Sequence, residues 1–168
     1  MRFIASLLIS FTVFSFTASA QVPAAQKKYE TSGKALMSMI NSGKVDASQA
    51  EKLVKEMVAE GKVMAEAYGK KEASAGKLMA FVVANIGKME AATFDDLQKN
   101  WHDGGAFIEK EVGLNVKKEE NEKHLDPVHV IVHPMMTLRA IKDGNLQAAK
   151  EELAEGLEQA QATAETLK

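Results

Sequence analysis

Val54, Met57, Gly61, Met64 and Tyr68 recur at alternating steps of three and four. On a helix of 3.6 residues per turn that spacing gathers all five side chains into one stripe, whereas a strand would scatter them over both faces. Leu53 and Val58 flank the stripe, giving a helix an apolar seam that it can bury only against other helices. Tyr29, Gly33, Leu36 and Ile40 repeat the pattern near the start, and Leu146, Ala149, Leu153, Gly156, Leu157, Ala160, Ala164 and Leu167 repeat it at the end. Ala, Glu, Lys, Met, Leu and Gln, all good helix formers, dominate between these stripes, and there are only three prolines. No alternating strand of useful length is present. The chain is therefore expected to be all-α, an up-and-down helical bundle of four main helices plus shorter ones.

Local signals set the expected boundaries. A first helix over about 24–41 ends at Ser42-Gly43, where Gly43 can take the left-handed capping conformation. Asp46 caps a second helix that runs to about Tyr68, and the short gap makes the two an antiparallel hairpin. A third helix over about 74–89 is apolar on nearly all sides and is expected to be the most buried. Thr93, with Asp96 three residues on, starts a fourth, which Gly104-Gly105 interrupts. Residues 112–123 read as a long charged connection. Asp126-Pro127 opens a helix reaching about Ile141, with Asp126 as cap and Pro127 in the first turn. The last helix follows Asp143-Gly144-Asn145. The corners beginning at Ile40 and Ile141 share an Ile–x–x–Gly turn followed by an Ala-rich helix start, a weak internal repeat.

Residues 1–20, MRFIASLLISFTVFSFTASA, carry Arg2, an apolar run and the small-x-small pattern Ala18-Ser19-Ala20. They are expected to be a signal peptide cleaved after Ala20, with residues 21–168 forming one helical domain in the periplasm of a Gram-negative bacterium. After cleavage no membrane span is expected, because the longest apolar run, 78–86, falls far short of the roughly 20 residues a span needs.

The net charge of −2 gives no support for nucleic-acid binding. The absence of cysteine removes disulfides, thiolate zinc sites, iron–sulfur clusters and covalently attached haem. His, Met and carboxylates are then the available metal ligands.

Three of the four histidines lie in one stretch, EENEKHLDPVHVIVHPMM, from Glu119 to Met136. His129 and His133, four apart on a helix, share one face one turn apart, close enough to hold a single metal ion. His124 precedes the helix and can fold back toward them, and Asp126, Glu119, Glu120 and Glu122 offer carboxylates. His102 lies beside the only tryptophan, Trp101, at the Gly104-Gly105 weak point, where with Asp103 it can complete the cluster. Pro134 removes the backbone bond to the Val130 carbonyl, so a kink is expected there and the carbonyl needs another partner, a side chain or water. The competing reading has these histidines capping and lining a polar seam, and has the methionines filling the core. No HExxH motif, nucleophile–base pair or paired catalytic carboxylates stand out, so an enzyme is not expected.

The stretches NSGKVDASQAEKLV and KDGNLQAAKEELAEGLEQA resemble those of small exported four-helix bundles, among them soluble b-type cytochromes of the periplasm and small His-rich periplasmic metal-binding proteins. The resemblance implies an up-and-down bundle of exported type. It does not carry the haem ligands over: Met37 and Met39 fall late in the first helix, and the last helix has no histidine. Haem is therefore not favoured, although His133 paired with Met37, Met64 or His102 is the best axial set. The leading expectation is an exported non-enzymatic protein holding copper, zinc or nickel through His129 and His133, with His124, His102 and Asp126 as further ligands. The alternatives are an interaction module without a ligand, and b-type haem binding.

Overall fold

The computed structural model describes residues 18–168, and within them the chain is helical without strands. Residues 1–17 of the expected signal lie outside the described residues. Helix α1 (Ala18–Ser42) starts earlier than the expected position of about 24 and carries Pro23 in its first turns. Gly43, at φ +68°, ends it, with its amide donating to the Ile40 carbonyl at 3.0 Å. Helix α2 (Ala47–Lys71) begins where Asp46 accepts a bond from the Gln49 amide. The corner before the last helix has the same construction. Gly144, at φ +75°, donates to the Ile141 carbonyl at 3.0 Å, and Asn145 caps α9 (Leu146–Thr166) by accepting from Ala148. The Ile–x–x–Gly similarity in the sequence thus corresponds to two corners of one geometry, each reversing the chain into a long helix.

Helix α8 (Asp126–Lys142) lies at the centre. It packs against α9 and α2, while α1 packs against α2 and α9. Most of its residues are buried, including every position from Val130 to Thr137. The stretch expected to be most buried is instead divided and peripheral. Helix α3 (Gly76–Ala84) stops at Asn85, whose side chain donates to the Phe81 carbonyl at 2.7 Å, and α4 (Ile86–Ala91) follows. An Asn that bonds a carbonyl four residues back competes with continued helix. Phe81, Val83 and Ile86 are left partly exposed. Met57, Met64, Met79, Met89 and Met136 are fully buried, so the methionines mainly fill the core.

Glycines allow α8 its central place. A Cβ at Gly61 of α2 would stand 3.0 Å from the Val130 oxygen, and one at Gly156 of α9 would stand 3.0 Å from the His133 Cβ. Between them Tyr29 of α1, fully buried, donates its hydroxyl to the Val130 carbonyl at 3.0 Å. This is the carbonyl that Pro134 deprives of its helical partner, so a side chain from the neighbouring hairpin supplies the missing bond. Helix α8 continues through Pro134 to Lys142.

Between the hairpins the chain forms short elements: α5 (Phe94–Asp96), α6 (Gly105–Val112) and α7 (Glu119–Glu122). Thr93 caps α5, accepting from the Asp96 amide as expected. From α5 the chain passes directly into a π-helical segment, Leu97–His102, closed by an Asp103 amide to Gln98 carbonyl bond of 2.9 Å. Trp101 anchors this segment, stacked on Phe81 at 5.5 Å and edge-on to Phe107 at 5.1 Å. Gly104, at φ +65°, sits where a Cβ would lie 2.5 Å from Val116 and 3.1 Å from Leu125. The sequence's weak point is therefore both a left-handed turn and a close approach. α7 supplies the one helical turn in the charged connection.

Candidate metal centre

His102, His129 and His133 come together where the π-helical segment crosses α8. One ring nitrogen from each lies within 4.8 Å of the other two. The ring centroids of His102 and His129 are 4.5 Å apart and nearly parallel, and His133 stands edge-on to both at 5.0 and 5.3 Å. The i, i+4 spacing on α8 fixes two of the rings, and the π-turn delivers the third. π-turns inside helices recur at functional sites because they shift a side chain off the regular helical face.

Each ring also has an oxygen partner at one of its nitrogens. His129 donates Nε2–H to the His102 carbonyl at 2.8 Å. The nitrogen Nδ1 of His133 lies 2.8 Å from Glu152 Oε2, and Nδ1 of His102 lies 3.0 Å from Asp103 Oδ1. A carboxylate only accepts, so Nδ1 of His133 carries a proton, whereas Nδ1 of His102 lies between Asp103 Oδ1, which accepts, and the Gln98 carboxamide nitrogen at 2.9 Å, which donates. Asp103 also accepts from the Gln98 carboxamide at 2.7 Å, and these bonds, led by the one from His102, hold its carboxyl below the ordinary range. The ring nitrogens that these bonds leave over are Nε2 of His102, Nδ1 of His129 and Nε2 of His133. A histidine whose other nitrogen donates to a carboxylate or a backbone carbonyl is the usual arrangement around protein-bound metals, because it fixes tautomer and ring orientation.

Burial favours the neutral ligand form at His129. Loss of solvent pushes its imidazole down to about 4, with the neighbouring His102 and His133 adding to the shift and the His102 carbonyl opposing it. Its ring is therefore neutral near pH 7, with a lone pair free. His133 is buried, at 1% side-chain exposure, and its Nε2 faces Glu155 Oε2 at 3.7 Å.

The other expected ligands lie elsewhere. His124 is buried in a separate knot, with its Nδ1 2.9 Å from the Tyr68 hydroxyl and its Nε2 3.3 Å from Ser74 Oγ. These bonds tie the start of α8 to the end of α2 rather than to the His129 face. Burial, followed by the charge of Lys123, lowers the His124 imidazole's proton affinity, and burial first of all pushes the Tyr68 phenol up to about 12. Asp126 is the first residue of α8 and makes no side-chain capping bond, the cap position being Leu125. Burial raises its carboxyl, and it is outside the three-histidine group. Glu119 and Glu120 line a shallow surface depression with Lys118.

Sequence reasoning missed Glu152 and Glu155 of the last helix. Gly156 lets that helix approach so closely that a Cβ there would stand 3.0 Å from the His133 Cβ, and Glu152 and Glu155 lie beside the imidazole at 2.8 and 3.7 Å. The available signal was a glycine inside a helical stripe, the mark of close helix approach, with acids one and four residues before it. No protein-family model, curated protein or solved structure matches this chain.

Proposed function

We propose that the protein is an exported, non-enzymatic helical bundle that binds one transition-metal ion through His102, His129 and His133. The observation that carries this is the combination of three ring nitrogens, one from each histidine, within 4.8 Å of one another, with an oxygen partner at one nitrogen of every ring. Histidines serving only as packing would need neither convergence nor three separate orienting acceptors. Ligand atoms around a tetrahedral ion with bonds of about 2.0–2.1 Å stand roughly 3.4 Å apart, so each pair must close by no more than about 1.4 Å from the 4.8 Å limit. The convergence of His129 and His133 favours this reading over a ligand-free interaction module. Copper, zinc and nickel are the candidate ions.

The two hairpins, α1–α2 and α8–α9, pack side by side, which supports an up-and-down bundle of four main helices as the scaffold. Export to the periplasm rests on the pattern of residues 1–20, and fractionation that recovers a chain beginning at Gln21 in the periplasm tests it. The function is tested by titrating chelator-treated protein with Zn(II), Cu(II) and Ni(II) by calorimetry. One equivalent is expected to bind at micromolar or lower Kd, and His129→Ala and His133→Ala are expected to weaken binding by at least about 100-fold. Binding no tighter than millimolar for all three ions rules the function out.

A further inference from the structure

Resting on the metal-binding reading, we infer that Glu155 is the fourth ligand, which makes the centre a three-nitrogen, one-oxygen site for a divalent ion such as Zn(II) rather than for Cu(I). Its carboxylate is the nearest acid to a free ring nitrogen of the cluster, with Oε2 3.7 Å from Nε2 of His133. It projects from the helix that Gly156 holds against that histidine. Glu155 has 59% of its side chain exposed, whereas Glu152, bonded to the opposite ring nitrogen, has 16%. The two acids thus divide the work by position. Glu152 is fixed behind the ring, and Glu155 is free to turn onto an ion that the ring binds. Glu155 lies outside the mutual range of the three imidazoles in the empty geometry, so ligation requires a side-chain rotation that its exposure makes inexpensive.

Charge points to the same class of ion. Asp103, Glu152 and Glu155 stand beside the imidazoles of His102 and His133, and the cation that enters such a shell compensates close negative charge. A divalent ion gains more from this than a monovalent one. An N₃O donor set is borderline to hard, suited to Zn(II) and Co(II), while Cu(I) prefers soft sulfur.

The test compares wild-type protein with Glu155→Gln and, as control, Glu158→Gln one turn further along α9. Both changes lie on exposed side chains, and circular dichroism checks the fold. Zn(II) affinity is measured by competition with a chromophoric chelator, and Co(II) geometry by visible absorption. Wild type and Glu158→Gln are expected to give the intense bands of four-coordinate Co(II). Glu155→Gln is expected to lose about 10- to 100-fold in Zn(II) affinity and to give the weaker spectrum of a higher-coordinate, water-bound ion. Equal affinity and an unchanged Co(II) spectrum in Glu155→Gln overturn the assignment of the fourth ligand while leaving the three-histidine site standing. Tighter binding of Cu(I) than of Zn(II) overturns the choice of ion. Failure of the wild-type protein to bind any of the ions overturns the underlying reading instead.

Discussion

The Tyr29 hydroxyl reaches from α1 to the axis of the molecule, where it meets a carbonyl that Pro134 leaves without its helical partner. Removing it leaves a buried acceptor unsatisfied, which costs about 1–3 kcal/mol. Tyr29→Phe is accordingly expected to lower the stability of the metal-free protein by that amount in urea unfolding. Pro134→Ala restores an amide at position 134 that can serve the same carbonyl. The Tyr29→Phe penalty is therefore expected to shrink in the Pro134→Ala background, and a double-mutant cycle giving strictly additive effects would show that the two residues do not share this acceptor. His124 supplies a pH dependence. Its folded-state proton affinity lies below that of an ordinary imidazole, so the unfolded chain takes up a proton that the folded chain refuses. Its contribution is fully present above about pH 6.5 and is lost as the pH falls below it. Thermal melts in chelator between pH 8 and 5 are expected to fall on the acid side, with a shallower fall in His124→Gln.

At the scale of the element, Gly156 shows how a helix is adapted to its neighbour. Alanine there gains about 1 kcal/mol of helix propensity. Its Cβ would stand 3.0 Å from the His133 Cβ and 3.1 Å from the Tyr29 oxygen. Neither atom can retreat freely, because one belongs to the backbone-proximal part of α8 and the other is held by Val130. Overpacking of this kind costs about 1–3 kcal/mol, so Gly156→Ala is expected to be net destabilising and to weaken metal binding by moving Glu152 and Glu155 away from the imidazole. A higher urea midpoint together with undiminished Zn(II) affinity would overturn this account of the glycine. The hairpin corners and the seams of α1, α2 and α9 were legible in the sequence, because capping residues and three–four spacing act locally. The break at Asn85 was not, since an apolar run around it hides one side chain that bonds the Phe81 carbonyl.

Across the whole molecule, the candidate site joins three segments distant in the chain: the π-helical segment, α8 and α9. The i, i+4 pair His129 and His133 could be read directly, because one helix sets their spacing. His102 was legible only as a suggestion, since its place depends on Trp101 packing on Phe81 and Phe107. His124 is close in sequence to the pair yet bonds to Tyr68 and Ser74, contacts that proximity along the chain does not encode. The carboxylates of α9 were hidden for a similar reason. A helix with many glutamates gives no sign of which ones face a histidine until its partner helix is known. Burial of α8 at the centre, rather than of the more apolar 76–84 stretch, likewise comes from its being placed against both hairpin partners.

Seen from the gene, the π-turn at Gln98–Asp103 has a further meaning. It accommodates one residue more than an α-helical turn, so a single in-frame codon separates the two geometries. Deleting Lys99, which is exposed, is expected to restore ordinary winding and to rotate the upstream part of the segment against the downstream part by about 100°. Trp101 and His102 can then no longer both keep their places, one in the aromatic cluster and the other over α8. The shortened protein is expected to remain helical by circular dichroism while Zn(II) affinity drops to that of a two-histidine site. In the opposite direction, one inserted codon is a short mutational route by which a plain helical scaffold with a chance His pair acquires a third ligand.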